Sequence, residues 1–134
     1  MTSTAAASSE PVGYSEMVLD HFRRPRNAGT LADANAVGRA ENSACGDQLE
    51  LYLRVEDGRV VAVRFRTVGC PAAIAAGSRL TEMIDGRTLE QLGAIRQQDV
   101  VAALGGLPPL KVHCSVLAED AIRAALADFH QRRQ

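Results

Sequence analysis

Residues 49–67, LELYLRVEDGRVVAVRFRT, decide the fold, because apolar and polar side chains alternate on both sides of a central turn. Before the turn, an apolar residue at every second position predicts a half-buried strand. Asp57-Gly58 is a typical hairpin turn. The return strand is expected to bury four side chains on one face: Val61, Val63, Phe65 and Thr67. The stretch therefore predicts an antiparallel hairpin with one face against a core.

The apolar pattern changes to helical spacing immediately after this hairpin. Pro71 suits the first position of a helix, and Gly86 suits the position just past its end. Residues 88–104 predict two short helices that end at Gly105-Gly106. A last helix is expected from near Ser115 to about Gln131.

The N-terminal part supplies the remaining elements. Tyr14, Met17, Val18, His21 and Phe22 have helical spacing and are expected to face the core; the helix should end before Pro25. A shorter strand is expected over residues 36–42. Strands followed by helices indicate an α+β domain, with a small three-stranded antiparallel sheet and helices packed on one face.

Length and composition limit the function classes. The chain has 134 residues, 46% of them apolar and 23% charged, and a net charge of −1. We expect residues 1–12 to form a disordered tail and residues 13–134 to form one domain. No basic stripe indicates nucleic-acid binding, and no signal or membrane-spanning segment is recognisable, so we predict a cytoplasmic protein without a membrane partner.

Three cysteines carry the functional signal: Cys45 in ACGD, Cys70 in VGCP and Cys114 in VHCS. An odd count argues against a framework of disulfides alone. Cys70 and Cys114 precede predicted helices, where the partial positive charge of a helix N-terminus favours a thiolate. Asp47 and His113 lie beside the cysteines and offer an oxygen and a nitrogen ligand.

These residue types suggest a metal or cluster site. If the three thiols converge, one tetrahedral position remains for Asp47 or His113, and the set suits either Zn²⁺ or a [2Fe–2S] cluster. The separations of 25 and 44 residues (70 − 45 and 114 − 70) are not those of a zinc knuckle, so the fold must assemble the site.

Simpler interpretations remain open for each residue. Free cysteines are often buried as small hydrophobes, Asp47 suits a turn, and His113 suits the end of a strand. His21 is expected to pack or to lie on the surface rather than bind metal, and His130 to complement a helix C-terminus. A nucleophilic pair of Cys114 with His113 is disfavoured, because adjacent side chains diverge.

Four segments resemble a known family: YSEMVLDHFRRPRNAG (14–29), ACGD (44–47), FRTVGCPAAIAAGSRLTEMI (65–84) and LPPLKVHCSVLAEDAIRAAL (107–126). They are similar to iron–sulfur cluster assembly scaffolds of the IscU type and to the N-terminal domain of NifU. The resemblance implies a carrier, not an enzyme, that receives sulfur from a cysteine desulfurase, builds a [2Fe–2S] cluster with iron and transfers it to apo-proteins.

The resemblance also implies roles for individual residues. Cys45, Cys70 and Cys114 would hold the cluster, completed by Asp47 or His113, and zinc can take the same site. Asp47 is associated with cluster lability, and Cys114 with receiving the persulfide.

The resemblance implies partners as well. An Hsp70-type chaperone with its co-chaperone would bind the LPPLK segment, which consists of Leu107, Pro108, Pro109, Leu110 and Lys111. Further implied partners are a frataxin-like protein or a ferredoxin, and apo-protein clients. Zinc-dependent SufU-type sulfur acceptors are the alternative; they typically carry an insertion and lack LPPxK. Pro71 departs from the family, which often has Gly or Ala there, and should stiffen the start of the helix.

Overall fold

The computed structural model describes residues 13–42 and 46–133. The predicted tail over residues 1–12 and the candidate ligand Cys45 lie outside the described residues. Among the helices of the described part, none has the length and apolar character needed to cross a membrane.

The described chain forms one antiparallel sheet with helices. Its strands are β1 (Ala36–Asn42), β2 (Asp47–Glu56) and β3 (Arg59–Val68), and its helices are α1 (Glu16–Arg23), α2 (Pro71–Ile84), α3 (Leu89–Gly93), α4 (Gln97–Ala103) and α5 (His113–Arg132), with a 3₁₀ turn at Pro109–Lys111. The strand order is β1-β2-β3, with both pairs antiparallel. The predicted fold class is therefore confirmed.

The β2–β3 hairpin forms at the predicted turn, but its register differs from simple alternation. Asp57 and Gly58 have φ angles of 52° and 72°, as a tight hairpin turn requires. A bulge follows, in which Val55 pairs with Val60 and Arg54 with Ala62. The extra residue changes the phase, so Val60 is buried and Val61, expected in the core, is 50% exposed.

Helices α2 and α5 cover one face of the sheet through close contacts at glycines. A Cβ at Gly38 of β1 would lie 2.2 Å from the backbone oxygen of Ala121 in α5. A Cβ at Gly77 of α2 would lie 2.6 Å from the ring of Phe65 in β3. The core between these layers consists of aliphatic side chains, Phe65 and Phe129. Both helices are thus fixed against the sheet, which positions their N-terminal ends.

Two helical predictions need correction. Helix α5 begins at His113 rather than near Ser115, because the 3₁₀ turn leads directly into it and the Ser115 hydroxyl donates to the carbonyl of Val112 at 2.5 Å. His113 is therefore a helical residue and not a strand end. On α1, Met17 is 41% exposed and lies outside the core, whereas Val18 is fully buried.

His21 packs in a buried polar network between α1 and α2, as predicted for a non-ligand histidine. Its Nδ1 lies 2.6 Å from the Ser78 hydroxyl, and its Nε2 lies 3.3 Å from a carboxylate oxygen of Glu82. The backbone N–H of Arg26 donates to the oxygen of the same hydroxyl. The Ser78 hydroxyl can therefore donate its own proton to His21 Nδ1. The network therefore favours a neutral ring protonated at Nε2.

We expect protonation of His21 to weaken the docking of α1. Burial and the nearby Arg26 lower the pKa of His21, although Glu82 and Asp20 oppose this shift and Arg79 adds to it. Since the unfolded chain then binds the proton more readily, stability present above about pH 6.5 is lost as the pH falls below that value. Because a single proton is involved, the free energy of unfolding falls by at most about 1.4 kcal/mol per pH unit.

Urea unfolding of the wild type, His21→Gln and His130→Gln between pH 7.5 and 5.5 measures this dependence. His21→Gln should flatten the loss of unfolding free energy, whereas His130→Gln, at an exposed position near the end of α5, should keep it. Identical pH profiles for the wild type and His21→Gln would contradict the assignment.

Candidate metal and cluster site

Five chain segments meet at one end of the sheet. Strand β1 ends there at Asn42, β2 begins at Asp47, and β3 ends at Val68. Helix α2 follows β3 after two residues, and α5 begins beside it at His113. Gly46, with a φ angle of 76°, turns the chain into β2, and its N–H donates to the Asn42 carbonyl at 2.7 Å. The fold therefore gathers the predicted ligand segments at one edge.

The carboxylate of Asp47 lies at the centre of the site. Its Oδ2 atom is 3.7 Å from Cys70 Sγ and 3.8 Å from Cys114 Sγ. The same oxygen is 3.8 Å from His113 Nε2. Cys70 and Cys114 are 3.6 Å apart at sulfur and are free thiols. Although His113 and Cys114 are sequence neighbours, both side chains therefore approach one oxygen.

The spacing of four donor pairs in this set suits a small tetrahedral metal. Around Zn²⁺, with bonds of about 2.3 Å to sulfur and about 2.0–2.2 Å to nitrogen or oxygen, neighbouring donors lie about 3.3–3.8 Å apart. Four of the six separations among these donors, from 3.6 to 3.8 Å, lie at the upper end of that range. Donor atoms of Asp47, His113 and Cys114 lie within 4.8 Å of one another, and this set does not include Cys70.

The two thiols have different surroundings. Cys70 is the N-cap residue of α2, as predicted, and is half-buried. Cys114 is the second residue of α5 and is fully buried. Burial, followed by the charge of Cys70, raises the pKa of the Cys114 thiol above its usual range. Burial thus opposes the effect expected from the helix start at Cys114, because desolvation disfavours the thiolate.

Several other residues enclose the thiols. Tyr14 and Leu107 pack against a small cluster of Ala72, Ala73 and Cys114. The pKa of Tyr14 is raised by burial and then by the charge of Cys70. The pKa of Lys111 is raised chiefly by the negative charge of Cys70 and then by that of Tyr14. Tyr14 was missed as a site residue, because its helical spacing indicates only core packing.

The LPPLK segment lies directly beside the site and is only partly packed. Leu107 is half-buried, whereas Leu110 is 86% exposed. Pro108 is extended, with φ −55° and ψ 144°, before the 3₁₀ turn begins. Of the two remaining histidines, His21 lies in the α1–α2 network, and His130 packs edge-on against Phe129 far along α5.

The structure thus brings together Asp47, Cys70, His113 and Cys114 in an α+β fold, as a metal-binding or cluster-binding protein requires. A family model described as the NifU-like N terminal domain matches residues 13–134. The chain belongs to this family.

Relatives whose names state a function belong to the same family. The chain is 47% identical to the iron–sulfur cluster assembly scaffold protein IscU 1 of Archaeoglobus fulgidus over 89% of this chain and 78% of that protein. It is 44% identical to IscU of Escherichia coli K12 over 92% of this chain and 98% of that protein.

Solved structures show the same fold at lower identity. A scaffold protein for the SUF system from Fervidobacterium islandicum matches with a TM-score of 0.71 and 23% identity, over 84% of this chain and 96% of that chain. A nitrogen-fixing NifU-like protein (N-terminal) from Brucella abortus matches with a TM-score of 0.71 and 20% identity, over 88% and 94%.

Proposed function

We propose that the protein is a scaffold on which a [2Fe–2S] cluster is assembled and from which it is delivered to apo-proteins. The convergence of two thiols, a carboxylate and an imidazole on one edge carries this proposal, because it occurs in a member of a family that includes named scaffolds. The cluster is cargo, so a site that holds it and also releases it is required.

The proposed cluster ligands are Cys45, Cys70 and Cys114, with Asp47 or His113 completing the set. Only Gly46 separates Cys45 from Asp47 in the sequence. The N-terminal ends of α2 and α5 meet at the site, and their partial positive charge favours bound thiolates and sulfide. Lys111 adds a nearby positive charge.

The proposed sulfur step is an exchange between two cysteines. The Cys114 thiolate attacks the outer sulfur of a persulfide on a cysteine desulfurase, the S–S bond of that persulfide breaks, and the desulfurase thiolate leaves. The sulfur gained is at the sulfane level and needs two electrons to become sulfide. A ferredoxin-type donor supplies them, and ferrous iron completes the cluster, with a frataxin-like protein as a further partner.

The exposed part of LPPLK suits capture by an Hsp70-type chaperone with its co-chaperone. Leu110 offers an exposed apolar side chain, and the two prolines have already lost most of their backbone freedom. Binding there therefore costs little ordering entropy. Because Leu107 packs against the cluster of Ala72, Ala73 and Cys114, pulling this segment would loosen the site and assist cluster release.

The zinc-dependent sulfur acceptor remains the second candidate, because donor atoms of Asp47, His113 and Cys114 lie close enough together to hold a metal ion. Anaerobic incubation with ferrous iron, cysteine, a cysteine desulfurase and a reductant separates the two. Visible absorption and circular dichroism bands that then move to an apo-ferredoxin support the scaffold. Sulfur uptake with retained zinc and no cluster would establish the acceptor instead.

Asp47→Ala is expected to slow cluster transfer about tenfold or more, because Oδ2 lies against both thiols and competes with them for iron. The rate is measured from the circular dichroism of the cluster arriving on apo-ferredoxin. Asp47→Asn is the matched control for volume and should be slow as well, since it lacks the charge. Equal rates in the wild type and Asp47→Ala would contradict the role.

A further inference from the structure

Gly69 lies between the end of β3 and the cysteine that caps α2, directly behind the Asp47 carboxylate. A Cβ built on Gly69 would lie 2.7 Å from Asp47 Oδ1 and 2.8 Å from its Cγ. Cβ atoms do not approach other heavy atoms this closely, so a side chain at position 69 and the present Asp47 carboxylate exclude each other.

Backbone conformation does not explain this glycine. Seven glycines in the described part of the chain have a positive φ angle, and Gly69 is not one of them. Alanine can therefore adopt the backbone conformation of Gly69 without strain. The next neighbour of its Cβ would be Ala73 Cβ at 3.1 Å, a tight contact that a small shift relieves. The principal obstacle to a side chain at this position is therefore Asp47.

The carboxylate has little freedom to yield without leaving the thiols. Asp47 is 5% exposed, and its Oδ2 is the atom that faces Cys70, Cys114 and His113. Displacement of Cγ carries both oxygens with it. A methyl group at position 69 would thus remove Oδ2 from its position between the donors.

We propose that Gly69 is a positioning residue for Asp47: its missing side chain provides the space in which the carboxylate lies against the thiols. The importance of Gly69 for a bound cluster rests on the proposed scaffold function. The position of the Asp47 carboxylate affects any metal ion that these donors bind, so Zn²⁺ and Co²⁺ can be used as probes without assembling a cluster.

The experiment compares Zn²⁺ affinity, by competition with a chromophoric chelator, in the wild type, Gly69→Ala, Asp47→Ala and the double variant. Gly69→Ala should weaken Zn²⁺ binding about 10- to 100-fold, as loss of a residue that orients a ligand does. In the Asp47→Ala background the same methyl group meets no carboxylate, so it should change affinity less than about twofold.

The absorption of bound Co²⁺ supplies a readout that a general loss of stability does not produce. Gly69→Ala and Asp47→Ala should give the same altered spectrum. Gly93→Ala is the matched control, because its φ is not positive and its Cβ would meet only Leu126 Cδ1, at 3.8 Å. It should keep the wild-type spectrum and affinity.

Thermal unfolding keeps the proposal testable if Gly69→Ala folds poorly. Asp47→Ala removes the conflict, so the double variant should unfold at a higher temperature than Gly69→Ala alone. An equal loss of affinity in both backgrounds, or a double variant as unstable as Gly69→Ala, would overturn the proposal. Failure of the wild type to assemble a cluster, with Zn²⁺ coupling intact, would overturn only the scaffold function.

Discussion

Replacing Gly38 by alanine is expected to lower the free energy of unfolding by about 3 kcal/mol or more, at the upper end of the cost of overpacking a core. The added Cβ would lie 2.2 Å from the Ala121 oxygen and 2.4 Å from the Ala125 nitrogen of α5. Both are backbone atoms, so no rotamer change relieves the contact, and α5 must move away from β1.

The loss is large because single domains are stable by only about 5–15 kcal/mol. Moving α5 also separates the sheet from Ala121 and Ala125, which are fully buried in the core. Urea unfolding at pH 7.5 measures the change as a lower midpoint with an unchanged slope.

The control for this variant is Gly93→Ala, which introduces the same methyl group into open contact. It should leave the midpoint unchanged or slightly raised, since alanine is a better helix former than glycine. Equal midpoints for Gly38→Ala and the wild type would show that the helix and strand have more room than their contact distance indicates. Gly38 differs in this respect from Gly69, because the atoms that a Cβ at Gly69 would meet most closely belong to the Asp47 side chain. Truncating Asp47 to alanine should therefore relieve the conflict at Gly69.

The sequence predicted the fold where local chemistry decides it. The hairpin at Asp57-Gly58 requires positive φ at both residues, and these residue types tolerate it better than most. Pro71 at the start of α2 and Gly86 just after it, with a φ of 79°, mark the helix limits for the same kind of reason. Such signals act over a few residues and need no knowledge of the tertiary structure.

The errors lie where packing decides between local alternatives. Val60 and Val61 are equally apolar, so nothing in the sequence shows which of them is the extra residue of the bulge. Met17 fits the apolar spacing of α1, yet its side chain is 41% exposed. The start of α5 was misplaced because the 3₁₀ turn after Pro108 continues into helix without a capping side chain.

The candidate site shows the same division. The local sequence around each residue pointed to the cysteines, Asp47 and His113 as candidate ligands. It could not predict how they are arranged in space, because Asp47 and Cys114 are 67 residues apart. The adjacency of His113 and Cys114 suggested diverging side chains, whereas the first turn of α5 presents both to one carboxylate. The sequence did not identify Tyr14 and Gly69 as site residues, because only their tertiary contacts connect them to the site.

Cys114→Ala is expected to abolish persulfide formation on the protein, whereas Cys70→Ala should retain it. Either change removes one thiol from the site, so metal binding should suffer in both. Only Cys114 is proposed to accept the incoming sulfur. This preference is opposite to the one that accessibility alone predicts, because Cys114 is fully buried while Cys70 is half-buried.

Acceptance at a buried thiol requires the site to open. Tyr14 and Leu107 pack against the cluster that contains Cys114, so we expect the desulfurase to displace them when it reaches this sulfur. Deprotonation must accompany this opening, because burial raises the pKa of that thiol. Exposure to water and the nearby Lys111 both favour the thiolate, so opening and activation of the nucleophile are coupled.

Incubation with desulfurase and cysteine, followed by alkylation and mass spectrometry, locates the added sulfur atom. The wild type and Cys70→Ala should carry it at Cys114, and Cys114→Ala should carry none. Sulfur found on Cys70 in the Cys114→Ala variant, at the wild-type rate, would make the more accessible thiol the acceptor. The 3.6 Å between the two sulfur atoms would then allow onward exchange to Cys114, so Cys114 would be reached second.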